Sequence, residues 1–225
     1  MIRLGCVPIL IFLVLLFLFP FLFGQVMISA LVKLHIDPNT ALILVVGMFL
    51  GSAVNFPIKR IVRHEEMAVQ PPALLGIFRI WPQVHRVRRE TVIAVNAGGC
   101  LIPTGVAVYE TAHLAVHEIS SLTALAVCVL LNTAVCYRLA RPVEGIGIAM
   151  PALIPPLVAA SSALILAGSQ ATPVAFVAGV IGPLLGADLL HLRDIPKIST
   201  GLASIGGAGT FDGIVLSGIL AAYLA

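Results

Sequence analysis

The sequence predicts an all-α fold: a polytopic helical membrane protein of about seven transmembrane helices, some broken by proline or glycine. Three observations predict it. Of the 225 residues, 60% are hydrophobic and 10% are charged, against roughly 45–50% and 25% in an ordinary soluble domain. Apolar residues gather in runs of about 20, the length a helix needs to cross the hydrocarbon core, rather than in alternating strands of about ten that would close a barrel. Finally, Lys and Arg segregate along the chain as they do in membrane proteins of fixed orientation. The net charge of +3 gives no overall basis for binding nucleic acid.

Six runs qualify directly as spans: 7–32, 41–58, 91–109, 119–137, 145–167 and 173–192. The apolar core of the first is much longer than the 7–15 residues of a signal peptide, and no small-x-small site follows it before Lys33; it is expected to stay attached. The seventh run, 201–225, holds six glycines and Asp212, so its first part is expected to unwind before a final helix from about Gly206. With the N-terminus and the 59–90 loop in the cytoplasm, twelve Lys and Arg lie inside and Lys33 alone lies outside, which puts the C-terminus outside. The whole chain reads as one transmembrane domain of a plasma membrane, with membrane lipids as its surroundings. Its basic 59–90 loop, which includes Leu74, Leu75, Ile77, Phe78, Ile80 and Trp81, is expected to lie on anionic headgroups or to dock a partner. The four cysteines, Cys6, Cys100, Cys128 and Cys136, show no Cys-x-x-Cys spacing and read as small reduced hydrophobes.

Polar residues inside spans are costly, so their depth is informative. At about 1.5 Å per residue, Asn55, Asn96, Asn132 and Asp188 lie roughly 5–8 Å from the cytoplasmic ends of their spans, and Asp212 about 9 Å if the last helix starts near Gly206. Asp188 and Asp212 would then be level on neighbouring helices. Two carboxyls within hydrogen-bonding distance share a proton near neutral pH, one activating a water while the other polarises a carbonyl. The same pair could instead carry a proton or cation across the membrane, or simply hold helices together.

Two breaks support a polar site at depth: residues 96–103, with Asn96, Gly98, Gly99 and Pro103, and residues 150–156, with Pro151, Ala152 and Leu153. Backbone freed within a membrane is tolerated only against protein or a wet cavity. The run 204–210, with Gly206, Gly207 and Gly209, could cradle an anion or a substrate backbone, although it lacks the lysine of a phosphate loop. His113 and His117, flanked by Glu110 and Glu118, have metal-ligand spacing, but a solvated helical turn explains them better, and no metal or cofactor is expected. His191, one turn from Asp188, reads either as a proton relay or as an interfacial histidine. Ser161 and Ser162 lie away from any intramembrane histidine, which disfavours serine chemistry.

The stretches 96–103, 140–148, 150–156, 186–190 and 204–214 resemble an uncharacterised family of prokaryotic multispanning proteins, a domain of unknown function; the likeness implies a membrane protein and no activity. A partial resemblance is to intramembrane aspartyl proteases of the presenilin and prepilin-peptidase type. Gly186-Ala187-Asp188 is similar to their Gly-x-Gly-Asp motif, with Leu185 and Ala187 in place of its glycines; Phe211-Asp212 is similar to their aromatic-Asp motif and Pro151-Ala152-Leu153 to their Pro-Ala-Leu motif, in a different order along the chain. The leading expectation is therefore an intramembrane aspartyl protease-like protein with Asp188 and Asp212 as the acid/base pair. Asn96, Gly98, Gly99, Pro151, Ala152, Leu153, Gly207 and Gly209 would contact a transmembrane peptide substrate. The alternatives are a proton- or cation-coupled transporter of a small solute that uses the same acids, and a non-catalytic scaffold.

Overall fold

The computed structural model describes residues 7–69, 83–145, 147–195, 201–207 and 213–225. Helix α1 (Val7–Lys33) enters the bundle only with its last turns, where Met27, Ala30 and Leu31 are buried. A short turn leads to α2 (Pro38–Gly51), whose N-cap Asp37 accepts from the Thr40 N–H through both carboxylate oxygens, at 3.1 and 3.2 Å. Proline at the first helical position, where a missing N–H is harmless, helps fix this start.

The chain then leaves the bundle as a long antiparallel hairpin, β1 (Asn55–Val69) and β2 (Gln83–Asn96), with Asn55 opposite Asn96 at its base and a register shift between Pro57 and Lys59. A proline cannot donate to the ladder, so it belongs at such an irregularity. Strand β2 runs straight into a π-helical turn (Ala97–Leu101) and α3 (Ile102–His117). Helix α4 (Ser121–Leu139) returns, and a small hairpin of β3 (Arg141–Val143) and β4 (Gly147–Ala149) precedes α5 (Ile154–Leu166). A 3-10 turn (Gly168–Gln170) joins α5 to α6 (Ala171–Pro183), which ends in a second π-helical turn (Leu184–Leu189). Strand β5 (Leu202–Ile205) then pairs in parallel with β2, giving the sheet order β1-β2-β5, and α7 (Gly213–Leu224) follows.

Helix α6 is the axis of the bundle, packed against α3, α4, α5 and α7. Every residue from Val174 to Val180 is buried. Where lipid and protein interiors are equally apolar, helices associate through close packing at small residues. Accordingly, Gly179 faces the Ser217 carbonyl, Gly218 faces Val180, and Gly182 leaves room for the Asn132 amide. That amide donates to the Ala178 carbonyl at 2.8 Å and ties α4 to α6.

Several expectations change. Three helical stretches are long and apolar enough to cross a membrane, Phe12–Lys33, Ser121–Leu139 and Gly168–Leu189, while Pro38–Gly51, Ile154–Leu166 and Gly213–Leu224 are shorter. A 14-residue helix reaches about 21 Å of a roughly 30 Å core. Nor is the chain purely helical among the described residues. The run 41–58 stops being a helix at Gly51, 91–109 begins as a strand, and 145–167 begins as the β3–β4 hairpin. The last run forms β5 in place of the expected loop, Gly206 and Gly207 lie in a turn rather than at a helix start, and the described part of its helix is Gly213–Leu224. The apolar patch of residues 74–81 lies outside the described residues.

Candidate functional site

The hairpin end of the bundle gathers Asn55, Asn96, Asp188 and the start of the glycine-rich run. Asn96 is fully buried at the junction of β2 and the π-helical turn. Its side-chain oxygen accepts from the Gly99 N–H at 2.7 Å, capping the turn, and its amide donates to the Ser52 carbonyl at 2.7 Å and to Asn55 Oδ1 at 3.1 Å. Ser204 of β5 donates its hydroxyl to the same Asn55 oxygen at 2.6 Å. A buried amide that satisfies three neighbours in this way fixes one arrangement of strands and helix. Gly98 is required here for room: a methyl at its Cα would overlap the Met48 carbonyl at the end of α2.

Asp188 stands in the π-helical turn after α6, a type of helical irregularity that frequently marks functional sites. The Gly206 N–H points at its carboxylate, with Oδ2 3.3 Å away. Gly206 has φ +69°, and a Cβ there would come within 2.6 Å of the Gly99 carbonyl carbon, so both its backbone conformation and its surroundings exclude a side chain. The glycine run expected to cradle an anion thus presents an N–H to the chain's own carboxylate. Gly206 also joins the two halves of the site, lying between Gly99 and Asp188. Behind Asp188, Gly186 packs on the α4 backbone at Thr133 and Tyr137.

A cavity of about 280 Å³ opens at this point, with Asp188, Ile148, Leu192, Ser204 and Gly207 among its lining residues. Its wall combines a carboxylate, strand backbone and aliphatic side chains, the mixture usual in a site for a largely apolar ligand. Because Val92 donates to the Gly201 carbonyl at 3.0 Å, the parallel ladder directs the backbone groups of Gly201, Ala203 and Ile205 toward β2 and those of Ser204 and Gly206 away from it. Asp188 therefore sits at the end of the outer edge of β5, the terminal strand of the described sheet.

The other candidate residues are distributed differently. Asp212 and Gly209 lie outside the described residues; Gly207, where the described chain breaks off before them, lines the cavity. Pro151, Ala152 and Leu153 are exposed on the approach to α5, and β4 supplies Gly147 and Ile148 to the cavity instead. Asn132 does not join Asn55, Asn96 and Asp188 as its depth suggested; it bonds to α6. His191 is buried, with Nδ1 3.0 Å from the Gly186 carbonyl and its ring 4.9 Å from that of Tyr137, contacts that brace the turn carrying Asp188. The His113 and His117 rings stack at 4.4 Å on an exposed face, whereas Glu110, expected to flank them, is 2% exposed and turned into the bundle. Ser161 and Ser162 bond to carbonyls of their own helix. Nothing in the sequence marks Ser204 or the Gly206 N–H as individual contacts beyond the glycine-rich run that holds them.

Residues 49–224 match the family model described as a protein of unknown function, DUF1614. No curated protein and no solved structure gives a match.

Proposed function

The chain belongs to the DUF1614 family, whose description assigns no chemistry, and from its own residues we propose that it is an intramembrane aspartyl protease-like protein in which Asp188 and Asp212 act on an extended peptide. One observation carries this reading: the Asp188 carboxyl lies in a cavity at the end of the outer edge of β5. A peptide laid along that edge would gain main-chain hydrogen bonds by β-augmentation and would be led toward the carboxyl.

In the proposed reaction one carboxylate takes a proton from water as the water oxygen bonds to the scissile carbonyl carbon, and the other, protonated, polarises the carbonyl oxygen. Breakage of the C–N bond follows, with a proton delivered to the leaving nitrogen. Asn96 positions the Gly99–Gly206 contact and so acts on Asp188 through the backbone. The aliphatic wall of Leu192 and Ile148 suits an apolar transmembrane peptide.

The test uses purified full-length protein with helical membrane peptides in nanodiscs and, separately, proteoliposomes that report proton-coupled uptake. Cleavage that disappears in both Asp188→Asn and Asp212→Asn supports the proposal. Aspartate-dependent flux without cleavage replaces it with transport, and cleavage that survives both substitutions removes it.

A further inference from the structure

We propose that Glu110 is a proton-binding site in the core of the bundle, separate from the Asp188 site. Glu110 lies eight residues into α3, about 12 Å along the helix axis, on the face it shares with the buried Val106, Ala107 and Leu114. It is 2% exposed, and its Oε1 is fully buried with no hydrogen-bond partner.

A bare carboxylate in such surroundings is expelled or neutralised, and three means of neutralising it exist: a cationic side chain, a metal or alkali ion, and a proton. Among the described residues the first is lacking: α2, α3, α5, α6 and α7 contain no Lys or Arg, those of α1 and α4, Lys33 and Arg138, stand at helix ends, and the two histidines of α3, His113 and His117, are exposed and stacked on each other. Helix α6, against which α3 packs, has no titratable side chain. The other elements touching α3 bring Cys100 in the π-helical turn, Cys128, Cys136 and Tyr137 on α4, and Tyr223 at the end of α7. None of these groups engages Oε1. The second means requires several oxygens converging on an ion, and an oxygen with no polar partner offers no such shell. A proton needs none. It leaves the carboxyl neutral in a dry interior, and its release requires the seam between α3 and α6 to admit water.

A second feature of the core agrees with a neutral acid. The buried hydroxyls Ser217 Oγ on α7 and Thr133 Oγ1 on α4 are likewise without partners, and both helices pack on α6. These buried polar atoms are scattered and bond neither to one another nor to Glu110, so they form no network that would stabilise a charge there.

Infrared difference spectra of wild type against Glu110→Gln, recorded on full-length protein in lipid nanodiscs at neutral pH, read the state of this carboxyl directly. Loss of a carboxylic-acid C=O band in the variant is the expected result; loss of carboxylate bands overturns the proposal. Should the variant fail to fold, wild-type protein is treated with dicyclohexylcarbodiimide and mapped by mass spectrometry. This reagent takes the acid proton onto one nitrogen while the carboxyl oxygen bonds to its central carbon, so it modifies protonated carboxyls in apolar surroundings. Modification of Glu110 that falls as pH rises supports the site, and its absence at every pH, or a yield indifferent to pH, overturns it.

Discussion

Asp188 and Glu110 are two acids in one bundle whose surroundings differ in almost every respect. Asp188 lies in a π-helical turn, beside a backbone N–H and a cavity, where strand, helix and glycine run meet. Glu110 lies within a regular helix, with an oxygen that nothing engages. The chemistry of the side chain is nearly the same, so any difference in task comes from what each carboxyl can reach. Asp188 lines a cavity of about 280 Å³, whereas the Glu110 oxygen is buried with no polar partner, and the task proposed for each acid rests on that difference.

The largest effect that would sharpen this contrast is on turnover. Asp188→Asn is expected to lower peptide cleavage by about 10²–10⁴-fold, the usual worth of a general acid or base, while Glu110→Gln leaves cleavage unchanged; equal losses in both variants, measured on the same peptide, would erase the distinction. Next comes charge in the core. Glu110→Lys should destabilise the bundle by about 2.5–3.5 kcal/mol, as an ammonium placed deep in a membrane helix does, whereas Glu110→Gln should hardly move the thermal midpoint in detergent micelles. If both variants melt alike, the core around Glu110 is wet and the comparison fails.

A smaller loss is expected from Asn96→Ala. It strands the Gly99 N–H and the Ser52 carbonyl, at a cost of about 1–3 kcal/mol for each buried group left unsatisfied. Because Gly99 lies against Gly206, cleavage should fall along with stability; a stability loss without any loss of cleavage would separate the junction from Asp188. The smallest effect concerns a third acid, Asp37, exposed at the start of α2. Bonds from the Thr40 side chain and backbone N–H hold its carboxyl below the ordinary 3.8. A group depressed in the folded state contributes stability that is present above its unfolded value and is lost as pH falls through the folded one. The melting temperature of wild type should therefore decline more than that of Asp37→Asn as pH drops below about 3.8. Parallel curves would show that the cap contributes nothing through charge.

Hydropathy alone exposes the helices that face lipid or form the core, because α1, α4 and α6 are unbroken apolar runs. It also locates the breaks at Asn96 and Met150, since glycine, proline and asparagine interrupt a span for local reasons that need no tertiary contact. The hairpin is harder to read. Only Asn96, Ala97 and two glycines separate Val92, Ile93 and Val95 from Cys100 and Leu101, so a hydropathy window merges strand with helix, and a short apolar run does not declare its period. The β-branched residues Ile58, Ile61 and Val62 between Lys59, Arg60 and Arg63 were the available strand signal. Hydropathy ends the third span near Tyr109 and so groups Glu110 with the outer histidines. The helix continues to His117, and those two further turns place the acid inside the bundle. The pairing of β5 with β2 had no local signature, since a parallel partner is chosen by the fold and not by its neighbours in sequence.

That pairing also sets an order of events. Val92 must await Leu202, and Asp188 must await Gly206, so the contacts that complete the site join segments made early and late in synthesis. Pairings between distant segments carry the greater loop-closure entropy and form slowly. A nascent chain holding α1 to α6 but not β5 has the Asp188 turn without the strand edge that meets it, and the site is assembled only when β5 and Gly206 have been translated.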